Sequence, residues 1–276
     1  MVSGMSPADK VPALARLTSL MEKIEIGDHR ALARALSIVE DEEVIASSLE
    51  GEFGKAPNVP ILGITGSPGV GKSTTTAALI TFLRARGEKI AVIAVDPSSV
   101  LTGGALLGDR IRLTEHFTDK EVFIRSLATR GALGGLSRAT DSVAYLMRKA
   151  GFTVIILETV GVGQSEVDVM RHADTVLILL APGMGDGIQI AKAGVMEIGD
   201  IYLVNKADRG GAEELAREVE RSLALSPGKK ISGSQDEWNR AVLVGTMERG
   251  EGVDRLWEVI TSHHVLLNKS KKSRID

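Results

Sequence analysis

The sequence predicts an α/β fold in which helices cover both faces of a mostly parallel sheet, with a helical extension in front. Short apolar runs alternate with helical stretches from residue 61 to residue 260. Glycine-rich or polar sequences follow directly after several of these runs. Because ligands bind at the carboxyl ends of parallel strands, the two observations together indicate one α/β domain with its site at that edge of the sheet.

Three segments are predicted along the chain. Residues 1–55 carry two apolar stripes at helical spacing and form the helical extension. Residues 56–265 carry the alternating strand and helix pattern and form the main domain. The glycine- and proline-rich stretch 51–60 is predicted to be the linker between these two segments. Residues 266–276 are basic, which is typical of a solvated terminus.

The elements of the main domain are predicted from their apolar periodicity. The predicted strands are Ile61–Thr65, Ile90–Val95, Val122–Ser126, Thr153–Leu157, Thr175–Ala181, Ile201–Val204 and Ala241–Val244. The predicted helices are Lys72–Arg86, Leu136–Ala150, Ala212–Leu223 and Val253–Ile260. Motifs that bind a ligand are therefore expected just after these strands.

Composition excludes several classes of protein. The chain has 276 residues, a formal net charge of −3 and no cysteine, so disulfides and thiolate metal sites are excluded and a reducing cytoplasm is expected. The charge balance does not favour nucleic acid, and no apolar run is long enough to span a bilayer, so neither partner is expected. His263 and His264 lie in a predicted surface helix, where adjacent side chains diverge and are not expected to share a metal.

The first predicted strand is followed by a complete phosphate-binding loop. The loop and the helix start read Gly66-Ser67-Pro68-Gly69-Val70-Gly71-Lys72-Ser73-Thr74. The glycines allow backbone N–H groups to converge on phosphates, and the helix N-terminus adds positive charge. Lys72 is expected to reach the β- and γ-phosphates, and the Ser73 hydroxyl is expected to bind Mg²⁺. Strand, loop and helix follow in the required order, which predicts a P-loop NTPase.

A second motif predicts which nucleotide base is bound. Asn205, Lys206 and Asp208 form an Asn-Lys-x-Asp sequence directly after a predicted strand. A carboxylate at Asp208 can accept hydrogen bonds from guanine N1–H and from its N2 amine, whereas adenine would leave the carboxylate unpaired. The small-residue loop Val244-Gly245-Thr246 follows the last strand, where GTPases place a loop against the base. The sequence therefore predicts binding of GTP and GDP.

Acidic residues follow two further predicted strands. Glu158 and Gly161 match an Asp-x-x-Gly element with Glu in place of Asp, so the carboxylate can contact Mg²⁺ and the glycine amide can sense the γ-phosphate. Gln164 lies three residues after Gly161 and is as consistent with helix capping as with orienting water. Asp96 and Asp109 are candidate metal ligands, with helix capping as the alternative.

At these positions the chain resembles the MeaB/ArgK-type GTPases, which are chaperones of adenosylcobalamin-dependent methylmalonyl-CoA mutase. The resemblance runs from about Gly27 to about Trp257. Beside the phosphate-binding loop and the guanine motif, it is carried by Gly27-Asp28-His29-Arg30-Ala31-Leu32-Ala33-Arg34-Ala35, Asp96-Pro97-Ser98-Ser99, Gly108-Asp109-Arg110 and Glu158-Thr159-Val160-Gly161-Val162-Gly163-Gln164. The last string is far more specific than any generic nucleotide motif.

The resemblance implies a Mg²⁺-dependent GTPase that gates cofactor loading or protection of an adenosylcobalamin-dependent acyl-CoA mutase, commonly as a homodimer. It implies Mg²⁺ or switch roles for Ser73, Asp96, Asp109 and Glu158. It also implies a role in hydrolysis for Lys192. The catalytic candidates are Lys72, Lys192, Glu158 and Asp109.

The chain departs from this family in two places, and two other functions compete. The family usually continues into a C-terminal dimerisation arm, and it has a Ser-Ala pair where this chain has Val244-Gly245-Thr246. The first competing function is a nickel-metallochaperone GTPase, against which the lack of cysteine and of a histidine cluster argues. The second is a small-molecule kinase that shares the phosphate-binding loop, against which the guanine motif argues.

Overall fold

The computed structural model describes residues 7–41, 44–96, 116, 118–128, 135–159, 170–183, 195–225, 229–230 and 237–272. Within these residues the predicted fold class is confirmed: a seven-stranded parallel sheet carries helices on both faces, and three helices precede it. No helix in these ranges is long and apolar enough to cross a bilayer.

The strands of the central sheet are β1 Ile61–Thr65, β2 Ile90–Asp96, β3 Val122–Ala128, β4 Val154–Thr159, β5 Thr175–Leu180, β6 Ile201–Val204 and β9 Ala241–Val244. Their order across the sheet is β3-β2-β4-β1-β5-β6-β9. A short antiparallel pair, β7 Lys229–Lys230 and β8 Glu237–Trp238, lies outside the sheet. The strand β1, which leads into the phosphate-binding loop, lies between β4 and β5 near the middle of the sheet.

The helices flank this sheet. They are α1 Pro7–Glu25, α2 His29–Asp41, α3 Ala46–Phe53, α4 Lys72–Arg84, α5 Gly135–Lys149, α6 Val195–Ile198, α7 Ala212–Ala224 and α8 Val253–Lys272. Side chains alternate along each strand, so a strand contributes to both cores. In β4, for example, Ile155 and Leu157 belong to the hydrophobic core that includes residues of α1, α2 and α5, while Val154 and Ile156 belong to the core on the opposite face, which includes residues of α4 and α8.

The helical extension shares its core with the sheet. The predicted apolar stripe of α2 is buried, with Leu32, Leu36 and Val39 at 1% exposure or less, and it packs in the same cluster as Ile155 of β4. Burial of whole apolar side chains is the main source of stability for such a contact, worth about 2 kcal/mol per side chain. The predicted linker begins too early, because α3 continues to Phe53 before the chain becomes extended.

The C-terminal helix differs most from its prediction. The predicted end at Ile260 is wrong, since α8 continues to Lys272. The helix lies on the surface as predicted, with Val265 53% exposed, but His263 is on its inner face and is only 2% exposed. Its ring lies 4.6 Å from the Trp238 ring, and its Nδ1 lies 2.9 Å from the Thr175 hydroxyl. His263 therefore anchors α8 at the amino end of β5, opposite to the edge of the sheet that carries the motifs.

Candidate nucleotide-binding site

The phosphate-binding loop lies at the carboxyl end of β1 and leads directly into α4. Gly66 and Gly71 have φ angles of 145° and 100°, which L side chains rarely adopt. A Cβ at Gly66 would lie 2.4 Å from the Leu179 carbonyl oxygen, and one at Gly71 would lie 2.4 Å from Asn205 Nδ2. The glycines are therefore required both by the backbone conformation and by close neighbours, as a loop that wraps phosphates demands.

Lys72 is the first residue of α4, and its side chain is buried. Its ammonium Nζ donates to the Gly66 carbonyl at 2.6 Å and to the Ser67 carbonyl at 3.2 Å. The ammonium group is thus held within the loop, and a bound phosphate can replace the two backbone carbonyls as its hydrogen-bond partner. Pro68 and Gly69, at the tip of the loop, are exposed to solvent, and Thr74 is half-buried on α4.

Ser73 and Glu158 come together from α4 and β4. The Ser73 hydroxyl donates to Glu158 Oε1 at 2.7 Å, and both side chains are buried, at 6% and 3% exposure. Glu158 lies inside β4, paired in register with Ile64 of β1 and Ala94 of β2. A hydroxyl and a carboxylate at the start of the phosphate-binding helix are the oxygen donors that Mg²⁺ prefers, so the residues present fit this ion.

Asn205 connects three parts of the site. Its Nδ2 donates to the Val70 carbonyl at 2.9 Å, and its Oδ1 accepts from the Met247 N–H at 3.0 Å. The following Lys206 has a left-handed backbone with φ of 60°, and its Nζ donates to the Gly69 carbonyl. The predicted guanine motif therefore braces the phosphate-binding loop on one side and the loop after β9 on the other.

Asp208 is the remaining side chain of the guanine motif. Its Oδ2 lies 3.9 Å from Arg249 Nη2, and the side chain is 30% exposed. Gly245 fixes the neighbouring loop, because its N–H donates to the Val204 carbonyl at 3.0 Å and its carbonyl accepts from Ala207 N–H at 3.2 Å. The carboxylate is therefore held beside the loop while remaining accessible to a base.

The loop after β9 is closely packed. A Cβ at Gly245 would lie 2.7 Å from the Glu251 carbonyl oxygen, so a larger residue is excluded there. Thr246 is buried and exchanges backbone hydrogen bonds with Glu251 at 3.0 and 3.2 Å. Val244 ends β9 and pairs with Val204 of β6. The sequence Val-Gly-Thr thus occupies the expected position next to the guanine motif.

Four of the predicted site residues lie at the limit of the described part of the chain or outside it. Asp96 ends β2 beside the end of β4, where Val95 pairs with Thr159, but its side chain is outside the described set. Asp109, Gly161 and Lys192 lie outside the described residues altogether. Among the residues that are described, no cluster of three or more His, Cys, Asp or Glu side chains could hold a metal.

Thr76 and Arg249 were not singled out from the sequence. Thr76 donates to Glu158 Oε2 at 2.6 Å, and Arg249 lies beside Asp208. A signal existed for Thr76, because residues three apart on a helix share a face and Ser73 was already a candidate. No comparable signal existed for Arg249, since its proximity to Asp208 depends on how two distant loops pack.

A parallel sheet with a phosphate-binding loop after a central strand, and an Asn-Lys-x-Asp loop at the same edge, defines a guanine-nucleotide-binding P-loop protein. Comparison with known proteins identifies the family within this class. The chain belongs to the family described as methylmalonyl-CoA mutase-associated GTPase MeaB, whose family model matches residues 32–275. It is accordingly a GTPase.

Individual relatives show the same family relationship. The chain is 46% identical over 257 residues to a Pyrococcus horikoshii protein named as a GTPase, covering 93% of this chain and 80% of that protein. It is 36% identical over 261 residues to GTPase ArgK of Escherichia coli, covering 93% and 78%. Among solved structures, a protein described as LAO/AO transport system kinase matches with a TM-score of 0.69 and 30% identity, covering 93% of this chain and 77% of that one.

Proposed function

We propose that this GTPase is a Mg²⁺-dependent chaperone that gates cofactor loading or protection of an adenosylcobalamin-dependent acyl-CoA mutase, with methylmalonyl-CoA mutase as the first candidate. The family description supports the partner, because it names a mutase-associated GTPase and matches residues 32–275. The observation that carries the nucleotide chemistry is the Asn205 bridge, which joins the phosphate-binding loop to the base-side loop. A switch of this kind needs such a connection between the two ends of its nucleotide.

Each end of the nucleotide has a proposed set of residues. The amides of loop 66–71 and Lys72 bind the phosphates, as the left-handed glycines and the inward ammonium support. Asn205, Lys206 and Asp208, with the loop Val244-Gly245-Thr246, bind the guanine. Asp208 accepts from guanine N1–H and from the N2 amine, and its partial exposure leaves room for this contact.

Ser73 and Glu158 are the proposed residues for Mg²⁺, with Asp96 and Asp109 as further acidic candidates. The bound ion would neutralise phosphate charge and orient the γ-phosphate for attack by water. The Ser73 hydroxyl donates to Glu158 here, so the two oxygens are already directed at each other. Gly161 is proposed to sense the γ-phosphate through its amide.

Hydrolysis is proposed to be slow in the isolated chain and faster with the partner. No glutamine follows Gly161 directly in the sequence, so the water-orienting side chain of the small GTPases has no counterpart at that position. Lys192 is the proposed additional cation, which the mutase would position over the charge that develops on the γ-phosphate. A cation supplied in this way is typically worth about 10³-fold or more in rate.

Single-turnover GTP hydrolysis, with and without a cognate methylmalonyl-CoA mutase, tests both parts of the proposal. We expect acceleration by the mutase, loss of that acceleration in Lys192→Ala, and full acceleration in the control Lys89→Ala, whose ammonium pairs with Glu121 at the amino edge of the sheet. Absence of acceleration by any cobalamin mutase would exclude the partner. Full acceleration in Lys192→Ala would exclude the role of that lysine.

The same experiment separates this function from the competing kinase. A GTPase releases inorganic phosphate into water, whereas a small-molecule kinase transfers the phosphoryl group to an acceptor. We expect stoichiometric release of phosphate with no acceptor present. A phosphorylated small molecule in place of free phosphate would favour the kinase.

A further inference from the structure

Thr76 lies in the second turn of α4 and touches the same carboxylate as Ser73. Its side chain is completely buried, and its hydroxyl donates to Glu158 Oε2 at 2.6 Å. Ser73 donates to the other oxygen, Oε1, at 2.7 Å. One buried carboxylate is therefore held at both of its oxygens by hydroxyl groups from a single helix.

The contact of Thr76 is unlike that of its neighbours in α4. The hydroxyl groups of Thr75 and Thr81 donate to the backbone carbonyls four residues earlier, at 2.9 and 3.0 Å. This local bond is the usual arrangement for threonine within a helix. Thr76 donates across to β4 instead, to a residue 82 positions away. Its hydroxyl therefore contributes to the site rather than to the helix.

The geometry explains why this contact constrains Glu158. Ser73 and Thr76 are three residues apart and lie on the same face of α4. The backbone of Glu158 is fixed by parallel pairing to β1 and β2 on both sides. Its side chain, however, has one more rotatable bond than an aspartate at this position would have. A hydrogen bond to the second oxygen removes this remaining freedom, which otherwise would have to be lost when a ligand binds.

We propose that Thr76 is a positioning residue for the magnesium site: by holding Oε2 of Glu158, it keeps Oε1 directed at the Ser73 hydroxyl and the phosphate-binding loop. The inference rests on the proposed magnesium role of Ser73 and Glu158. Side chains that orient metal ligands typically change metal affinity by about 10- to 100-fold when they are removed. The hydroxyl of Thr76 thus tunes how strongly Mg²⁺ and nucleotide binding are coupled.

Binding of a fluorescent GDP analogue to the full chain, titrated with Mg²⁺ and repeated in excess EDTA, measures this coupling without any catalytic turnover. We expect Thr76→Val to raise the Mg²⁺ concentration at half-effect by on the order of tenfold, with the affinity in EDTA unchanged. Thr76→Ser keeps the hydroxyl and is expected to remain close to the wild type. The valine variant keeps the shape of the side chain, so a change reports the hydroxyl rather than a cavity.

Thr175→Val is the matched control. Thr175 is also a buried threonine with a side-chain hydrogen bond, to His263, but it lies at the amino edge of the sheet. We expect this variant to lose stability on thermal unfolding and to keep the Mg²⁺ dependence of the wild type. A parallel change in Mg²⁺ dependence in Thr175→Val would mean that general loosening of the fold is responsible, which overturns the role of Thr76.

The remaining outcomes separate this inference from the proposed function. Thr76→Val with wild-type Mg²⁺ coupling would overturn the inference while leaving the magnesium site in place. Wild-type protein whose GDP affinity does not respond to Mg²⁺ would overturn the proposed magnesium role and the inference with it. Should Thr76→Val fail to fold, the comparison passes to Thr76→Ser and Thr76→Ala, and equal Mg²⁺ dependence in these two would overturn the inference.

Discussion

Asp208 is the side chain on which base selection is expected to depend. Its carboxylate is 30% exposed and lies beside the loop at Gly245, with Arg249 Nη2 at 3.9 Å. A carboxylate offers only acceptors, and guanine presents two donors on the same edge, N1–H and the N2 amine. An exposed ion pair at that distance contributes about 1 kcal/mol or less, so Arg249 does not prevent Asp208 from binding a base.

Asp208→Asn is expected to reverse the base preference toward xanthine. The amide of Asn donates where the carboxylate accepts, and xanthine carries a carbonyl acceptor where guanine carries the N2 amine. We expect GDP affinity to fall by on the order of 100-fold or more, because polar groups are left unpaired, and xanthosine diphosphate affinity to rise. Competition binding with GDP, XDP and ADP measures this.

The control for this experiment is Asp254→Asn, which changes an exposed acid in the first turn of α8. It is expected to leave the order of the three nucleotides unchanged. Equal affinity of the wild type for GDP and ADP would contradict the guanine assignment, whatever the variant does.

Helix α5 joins the helical extension to the main domain through two buried hydroxyl groups. Ser142 donates to the Val44 carbonyl, just before α3. Tyr145 donates to the Leu49 carbonyl at 3.2 Å and to the Gly54 carbonyl at 2.8 Å, at the end of α3. Burial raises the pKa of Tyr145 to about 12, so the hydroxyl remains a donor at neutral pH.

Tyr145→Phe is expected to lower the free energy of unfolding by about 1–3 kcal/mol, because the Leu49 and Gly54 carbonyls lose the buried hydroxyl that donates to them. The loss should be accompanied by faster amide exchange in α3, since this helix loses its attachment to α5. Chemical denaturation gives the first quantity and hydrogen exchange gives the second.

Tyr202→Phe is the matched variant, because Tyr202 also donates a buried hydroxyl to a backbone carbonyl, that of Met196. A comparable global loss without faster exchange in α3 is expected there. Unchanged exchange of α3 in Tyr145→Phe would contradict the anchoring role of this tyrosine.

The molecule as a whole uses the two edges of its sheet differently. At the carboxyl edge lie the phosphate-binding loop, Glu158 and the guanine motif, each just after or at the end of a strand. At the amino edge His263, Thr175 and Asp200 are buried together, and Trp238 donates to the Asp200 carbonyl at 2.8 Å. Packing at the amino edge holds α8 against the sheet and leaves the other edge available for ligand.

Acid stability of the whole fold is expected to depend partly on Asp119. The Arg84 side chain hydrogen-bonds this carboxylate at 2.8 Å, and that contact, together with the Glu121 N–H, holds the pKa of Asp119 below its model-peptide value of 3.8. Because the pKa is lower in the folded state than in the unfolded chain, the stabilisation is fully present above about pH 4 and is lost as pH falls through the folded-state pKa.

Asp119→Asn should therefore flatten the acid limb of the stability curve and lower stability near pH 7 by about 1 kcal/mol, the upper range for a partly exposed pair. Arg84→Met should produce a similar flattening, and the double variant should add little to either single variant. Urea unfolding between pH 3 and pH 7 measures these differences. An acid limb as steep in Asp119→Asn as in the wild type would contradict the assignment.

Much of this architecture could be predicted because its signals are local. The strands Ile61–Thr65, Ile201–Val204 and Ala241–Val244 have the predicted bounds, since each is a short apolar run bounded by turn residues. The phosphate-binding loop is one contiguous stretch of chain, so its composition alone requires a turn with left-handed glycines. Boundaries at the ends of β2, β4 and α8 were less predictable, because pairing and packing partners extend these elements.

The contacts that complete the candidate site were decided by the tertiary structure. Asn205 reaches Val70 across 135 positions, and Thr76 reaches Glu158 across 82. His263 lies in a helix that was predicted on the surface, yet its side chain is buried, because Trp238 of β8 and Thr175 of β5 lie next to it. An apolar pattern predicts that one face of an element will be buried, but it does not predict which other element will pack against that face. The partners follow only from the strand order β3-β2-β4-β1-β5-β6-β9, which is a property of long-range pairing.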